Sequence, residues 1–247
     1  MRRFLALAAS ACILSSCCLD NLFGHIVTGD GISVEENIKV DGFNAISSVG
    51  SIDVLYSQAP GEPSVVLTCD RNLVDYYNIY VEKGTLHVAV KSGYILRPET
   101  DVFVTVTSAG LNAVTLTGSG DCITSGTIDA DGDLSFKLSG SGDLKVTGNV
   151  SCRKFQSKLT GSGDTLVNSL QAESATLSSS GSGDIFVNSI TADAIDVTTT
   201  GSGNVTLGCK DAGDVDIRIT GSGDVILSGN ARSVNHKVSG SGRLEWK

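Results

Sequence analysis

One short motif recurs seven times in the second half of the chain and constrains the fold more than any other feature. Each copy contains Gly-Ser-Gly, is preceded by Ser or Thr and is usually followed by Asp. Successive copies are separated by 22, 21, 20, 20, 20 and 19 residues. A unit of this length cannot bury an apolar face alone, so the units must stack on one another as in a solenoid. The first glycines of the copies are Gly118, Gly140, Gly161, Gly181, Gly201, Gly221 and Gly240.

Alignment of the units on that glycine predicts which positions face the core. Mostly apolar residues recur two and six positions before the glycine and four and six positions after it, and a row of Ala with Cys152 recurs nine positions before it. Alternation on both sides of a glycine corner, in units with no room for a helix, predicts short parallel strands. We predict an all-β fold, a right-handed parallel β-helix with coils of about 20 residues, because parallel crossovers are right-handed by default.

The chain before the repeats divides into three parts. Residues 1–16 have the layout of an export signal, with two arginines ahead of an apolar run that is too short to span a membrane. The run ends in Leu-Ser-Ser-Cys, which resembles a bacterial lipobox and predicts lipid attachment at Cys17. Residues 17–37 are predicted to be a tether. Residues 38–110 show period-2 strand patterns and are predicted to stack as an N-terminal β segment on the β-helix of residues 111–247.

Charge and cysteine content exclude several classes of function. Removal of residues 1–16 leaves 27 acidic and 16 basic residues, a net charge of −11, with no basic stripe for nucleic acid. The five cysteines that follow Cys17 are scattered without a CxxC pair, so we predict no zinc site and no cofactor, and we interpret most of these cysteines as buried apolar residues.

The aspartates after the glycine corner form a predicted ladder with two interpretations. Each carboxylate could close its own turn, as the Asn204 that interrupts the row could equally do. Alternatively, the row could bind calcium, although calcium prefers six to eight oxygen ligands and a basic row three residues before the glycine argues against a metal. We favour the structural interpretation. The ladder consists of Asp121, Asp143, Asp164, Asp184 and Asp224, and it ends at Arg243.

Catalytic and binding sites are weakly indicated. The coils are near minimal in length, which leaves no long loop for a cleft, and no nucleophile and base pair is evident, so no catalytic residue is predicted. The fifth position after the glycine is partly apolar, and it either faces outward as a stripe or is turned inward or covered by residues 38–110. Tyr76, Tyr77 and Tyr80 either stack on sugars or belong to the local core.

Both halves of the chain together resemble a known family. The segment that begins "FNAISSVGSIDVLYSQ", followed by "VFVTVTSAGLNAVTLTGSGD" and the further GSGD units, is similar to the "putative auto-transporter adhesin, head GIN domain" family of Bacteroidetes envelope proteins. The resemblance extends over roughly residues 38–246. It implies a β-helical, exported and adhesive protein, without an established ligand.

These observations predict a lipid-anchored cell-envelope protein of the outer membrane that acts as a binding or structural module without catalysis. Its predicted partners are the membrane, a glycan or a host or cell-surface protein, and further copies of itself through the coil ends. Trp246 lies in the last unit and is predicted to cover the open end of the stack. A carbohydrate-active β-helix enzyme and a self-assembling envelope scaffold are the alternatives.

Overall fold

The computed structural model describes residues 24–247, of which almost all regular structure is β. It forms a solenoid of about seven turns whose strands pair in parallel along one axis, which confirms the predicted parallel β-helix class. The predicted signal segment and Cys17 lie outside the described residues. Within residues 24–247, no helix is long and apolar enough to cross a bilayer.

Residues 24–110, the described N-terminal region, contain nine strands and one 3-10 helix, Arg71–Tyr76, where the sequence "RNLVDYY" indicates a helical turn. A two-residue turn at Lys83 and Gly84, both with positive φ, joins two of these strands into a hairpin. The strands are β1 (His25–Thr28), β2 (Ser33–Asn37), β3 (Ala45–Gly50), β4 (Asp53–Gln58), β5 (Ser64–Asp70), β6 (Tyr77–Glu82), β7 (Thr85–Val90), β8 (Tyr94–Arg97) and β9 (Phe103–Ser108).

The repeat region contains eleven further strands, several of which continue around a corner of the solenoid. Each coil has a first side before the glycine corner, a second side after it and a short third side. The strands are β10 (Ala113–Gly118), β11 (Cys122–Ser125), β12 (Ile128–Asp129), β13 (Asp133–Gly140), β14 (Leu144–Gly161), β15 (Thr165–Gly181), β16 (Ile185–Thr191), β17 (Ala194–Gly201), β18 (Val205–Gly221), β19 (Val225–Gly240) and β20 (Leu244–Trp246).

The N-terminal region stacks on the first repeat as predicted, and it also contributes an additional coil. Strands β3 and β4 pair in parallel with β10 and β11, and Gly50 aligns with Gly118 as a corner of the same kind. Below this coil, β7 and β9 continue the parallel stack. Antiparallel strands then cover that end, because β6 pairs with β7 and β5 pairs with β9.

The predicted tether requires correction. Strand β1 pairs with β8, and β2 pairs antiparallel with β5, so much of residues 24–37 belongs to the folded domain. This segment is held by the buried carboxylate of Asp70, which accepts hydrogen bonds from the N–H groups of Gly31, Glu99 and Thr100 at 2.8, 3.0 and 3.2 Å. This buried acceptor is supplied by a strand more than thirty residues away, so the local sequence does not reveal it.

The solenoid core follows the predicted rows on the first and second sides. A third inward row on the first side, four positions before the glycine, includes Phe136, whose ring meets the ring of Phe155 edge-on at 5.3 Å. Cys69, Cys122 and Cys209 are buried free thiols, as interpreted, and burial raises the pKa of Cys122 to about 12. The third side adds a row that alignment on the glycine misses: Ile128, Val150, Leu170, Ile190 and Cys209.

Candidate functional site: the glycine corner, its aspartate ladder and the adjoining face

The glycine corner requires both of its glycines. Gly161 has a φ of 132°, a region that residues with a side chain rarely adopt. A Cβ on Gly161 would also collide with the carbonyl oxygen of Gly140 in the preceding coil, and a Cβ on Gly163 would collide with that of Gly142. The corner is held by backbone bonds between coils, since Gly140 O accepts from the N–H groups of Ser162 and Gly163 at 2.9 and 3.2 Å.

The aspartates link successive coils instead of closing their own turns. Oδ1 of Asp143 accepts a hydrogen bond from the backbone N–H of Asp164 at 2.9 Å, and Oδ1 of Asp164 accepts from the N–H of Asp184 at the same distance. The interpretation that each Asp closes its own turn is therefore wrong in its bonding partner, although the role remains structural. The bond spans one coil because the strand spacing of about 4.8 Å places the next N–H within reach of a short side chain.

The bonding pattern explains the two departures from Asp. Asn204 replaces a carboxylate and still accepts the N–H of Asp224 at 2.9 Å. Arg243 cannot accept, but it occupies the last coil, where its own N–H donates to Asp224 at 2.8 Å. Strand pairing also identifies Asp53 as the first member of the ladder, because it accepts the N–H of Asp121 at 2.8 Å. Sequence reasoning missed Asp53, since Val49-Gly50-Ser51-Ile52 lacks the second glycine.

One ladder carboxylate also forms an ion pair. Lys145 Nζ lies 2.9 Å from Asp143 Oδ2, so Asp143 pairs with a residue two positions further along its own strand and not with the predicted basic row. Burial raises the pKa of Asp143, but the Asp164 N–H and the Lys145 ammonium outweigh that effect and hold this pKa below its ordinary value. Among residues 24–247, no three His, Cys, Asp or Glu side chains are grouped so as to hold a metal.

The fifth position after the glycine faces outward, which decides between the two interpretations left open by the sequence. Its residues alternate with the buried rows and are half-buried, and Leu55 of the N-terminal coil extends the row without covering it. We call the outer surface of the second side the ladder face. It carries the aspartates at the third position, a row of Ser, Thr and Asn interrupted by Gly208 at the seventh, and between them Ile123, Lys145, Leu166, Phe186, Thr206 and Ile226.

A cleft of about 350 Å³ lies beside the first repeat, where the near-minimal coils predicted none. This repeat is the longest, with 22 residues to the next glycine, and its extra residues form a corner around Gly132. Asp133 pairs with Arg153 at 2.7 Å. The polar side chains of the cleft are Asn44, Gln58, Asn112, Asp129, Asp131 and Asp133.

The tyrosines divide between core and surface. Tyr77 is buried, whereas Tyr76 is half-buried and packs edge-on against Tyr94 at 4.8 Å. Tyr80 is 40% exposed, and its ring stacks on His87 at 4.9 Å. The local-core interpretation is therefore correct for Tyr77 but does not describe Tyr80.

Stacked coils with a glycine corner, a coil-to-coil carboxylate ladder and a capped N-terminal end define a β-solenoid protein. The sequence matches the family model described as "putative auto-transporter adhesin, head GIN domain" over residues 42–189 and 172–247. The chain belongs to this family, as its motifs indicated.

Solved structures of Bacteroidetes proteins share the fold. A putative adhesin from Bacteroides fragilis is 21% identical, with a TM-score of 0.79 over 90% of this chain and 100% of its own. A putative adhesin from Parabacteroides distasonis is 25% identical, with a TM-score of 0.78 over 90% and 100% of the two chains. A putative lipid binding protein from the same species is 26% identical, with a TM-score of 0.76 over 90% and 99%. Comparison with curated protein sequences gives no significant match.

Proposed function

We propose that this protein is a lipid-anchored envelope adhesin, a binding module without catalysis, and that the ladder face is its contact surface. The observation that carries the proposal is the half-buried apolar row on this face. The row repeats at the strand spacing along the stack, between acidic side chains and a Ser, Thr and Asn row. Such a surface offers apolar contact flanked by hydrogen-bonding groups, which suits extended protein or glycan ligands.

The charge of the ladder face narrows the proposed ligand. Six aspartates, including Asp53, line one side of the apolar row, and a single lysine of that row, Lys145, neutralises one of them. Like charges facing each other across an interface oppose binding. An uncharged glycan or a basic protein surface therefore fits this face better than an acidic polysaccharide or an anionic lipid headgroup.

A glycan and matrix-protein array with the full-length chain in detergent tests this surface. Phe186→Thr combined with Leu166→Thr should remove binding, because it removes two large apolar side chains from the row. The fold should tolerate both changes, since Thr206 occupies the equivalent position in another coil. The matched control is Thr176→Ser, an exposed position on the first side. Equal binding by the double variant and the native chain would contradict the proposed contact surface.

The anchor is a separate part of the proposal. Six residues lie between Cys17 and the first described residue, Gly24, and the seven Cα–Cα steps that join them limit the distance between lipid and domain to about 25 Å. Cys17→Ser should move the protein from the membrane fraction to the soluble fraction, with Cys18→Ser as the matched control. Retention of the Cys17→Ser protein in washed membranes would contradict lipid attachment at this residue.

Two alternatives follow from specific observations. The cleft that contains Asp129 and Asp131 favours a carbohydrate-active enzyme, since paired carboxylates carry out glycoside hydrolysis. Release of reducing sugar by the native chain, lost in Asp131→Asn, would support it. Lipid binding is the property given in the name of one structural neighbour. Cosedimentation with neutral vesicles, lost on Phe186→Thr, would support that alternative for this chain.

A further inference from the structure

The two ends of the solenoid differ in how their strand edges are treated. At the N-terminal end, antiparallel strands cover the parallel stack. At the other end, the final segment of β19, residues 233–240, pairs with β18 on one side, and its outer edge has no strand partner among residues 24–247. An uncovered edge of this kind is a ready template for pairing with another chain.

Residues that belong to the core rows are exposed at this end. Leu116, Leu138 and Ile219 are at most 3% exposed, but Val238, in the same row, is 38% exposed. His236 aligns with the buried Ile217 and is itself exposed. Trp246 aligns with Leu227, which is fully buried, and is itself 48% exposed, so it covers only the second side of the last coil and leaves the first side open. The last coil therefore presents an apolar layer that a further layer would bury.

The sequence of this edge is self-complementary. Its inward residues are Val234, His236 and Val238, which are placed symmetrically about His236. In an antiparallel pairing centred on His236, Val234 meets the partner's Val238 and His236 meets the partner's His236. Every inward residue then meets an inward residue, which is the requirement for two coil layers to form one continuous core.

The outward charges complement one another in the same register. The outward row three positions before the glycine is basic at this end, where it finishes with Arg218 and Lys237. The outward row five positions before the glycine is acidic there, and it finishes with Asp196, Asp216 and Asn235. The symmetric pairing places Lys237 beside Asn235 of the partner subunit, with the partner's Asp216 one strand further, about 10 Å away between Cα atoms. The basic row of each copy is thus continued, across the interface, by the acidic row of the other copy.

We propose that this edge is an interface with a second copy of the chain, formed by two-fold antiparallel pairing of residues 233–240 centred on His236. A head-to-tail contact fits less well, because among residues 24–247 the edge strands at the N-terminal end, β2 and β6, belong to the antiparallel cover and not to the parallel stack. Four of the five residues of β2 are exposed without an apolar row, and residues 39–41 lie beside β6. One coil cross-section is a small contact area, so we expect weak association that needs concentrated protein.

The pairing has a consequence for adhesion that depends on the proposed anchor. The anchored segment leads into the capped N-terminal region, and the proposed interface lies at the opposite end of the stack. A two-fold dimer through that end directs the two N-terminal regions away from each other, so it joins copies on facing membranes. The interface test below does not require the anchor and distinguishes the two claims.

Disulfide trapping in the full-length chain in detergent tests the register. The background chain carries Cys18→Ser and Cys152→Ala, which remove two cysteines that could form unwanted disulfides. This background chain, with His236 unchanged, is the control. His236→Cys should yield an oxidised dimer, because the Cα atoms of directly opposed residues lie about 4.5 to 5.5 Å apart, within disulfide reach. Asn235→Cys and Lys237→Cys should each remain monomeric alone and form a dimer when mixed. Equal dimer yield from each single variant, or none from any, would overturn the proposal.

A charge exchange provides an independent test. Lys237→Glu should reduce the trapped dimer several-fold, since it brings an acidic group beside the partner's acidic row. Asn235→Lys alone should also reduce the yield, and the double variant should restore it. The matched control is Lys158→Glu, which lies in the same outward row in the middle of the stack. An equal loss in Lys158→Glu, or no rescue in the double variant, would contradict this interface.

Discussion

At the residue scale, the requirement for an acceptor explains the Asp row better than a ligand does. Each ladder side chain before the last must accept one backbone N–H from the following coil, and Asp and Asn meet that requirement. The sequence predicted the positions of these residues, because the repeat aligns them. It could not predict their partners, since a short carboxylate can bond within its own turn or across one coil, and only the coil spacing selects between these possibilities.

Removal of one ladder acceptor should destabilise the stack. Asp164→Ala leaves the N–H of Asp184 without its partner, which costs about 1 to 3 kcal/mol of unfolding free energy. Asp164→Asn should cost much less, because Asn204 performs the same role. Denaturant unfolding measures both, and Arg243→Ala, at the end of the ladder, is the control that should change little. An equal loss in the Asn and Ala variants would contradict the acceptor role.

At the element scale, the first and second sides were predictable, whereas the third side and the N-terminal coil were not. Alignment on the glycine does not reveal the buried row of the third side, because the distance from the glycine varies between coils. Ile128 lies ten residues after its glycine, but Cys209 lies eight after its own. Strand β3 was missed because its corner keeps only Gly50 of the motif. Strands β1 and β2 were assigned to a tether, since their order depends on contacts with β5 and β8 that local patterning does not contain.

The attachment of β2 should weaken in acid. Burial raises the pKa of Asp70, but the N–H groups of Thr100, Gly31 and Glu99 outweigh that effect and hold this pKa below its ordinary value. A carboxyl whose pKa is lower in the folded state stabilises the fold above its unfolded pKa of about 3.9, and this contribution is lost as the pH falls through the folded pKa.

Unfolding free energy measured from pH 7 down to pH 2 tests this attachment. Asp70→Asn should lower stability at pH 7, because an amide cannot accept all three N–H bonds, and it should flatten the fall in stability in acid. Asp75→Asn, an exposed change on the adjacent 3-10 helix, is the matched control. An unchanged acid profile in Asp70→Asn would show that another group governs the loss.

At the scale of the whole molecule, stability comes from coils that bond to one another through backbone, side chain and core. Each ladder carboxylate already uses Oδ1 for the following coil, and Asp143 uses Oδ2 for Lys145. This arrangement leaves too few free oxygens on any one coil for the six to eight that calcium prefers. The glycines permit the close approach of successive coils that these bonds require.

The melting temperature should therefore be independent of calcium. Scans with millimolar calcium and with a chelator should coincide, because no ladder carboxylate is released from its backbone bond. Magnesium at the same concentration controls for ionic strength. A rise of several degrees in calcium alone would restore the ion-binding interpretation of the ladder.

The ladder bonds all point the same way along the chain. Each ladder side chain accepts a hydrogen bond from a backbone N–H of the coil that follows it in the sequence. The first of these bonds joins Asp53 to the N–H of Asp121, and the last joins Asp224 to the N–H of Arg243. A ribosome delivers the coils in that order, so every finished coil presents an acceptor before its donor has been synthesised. The solenoid can thus grow by templating from its capped beginning, one turn at a time.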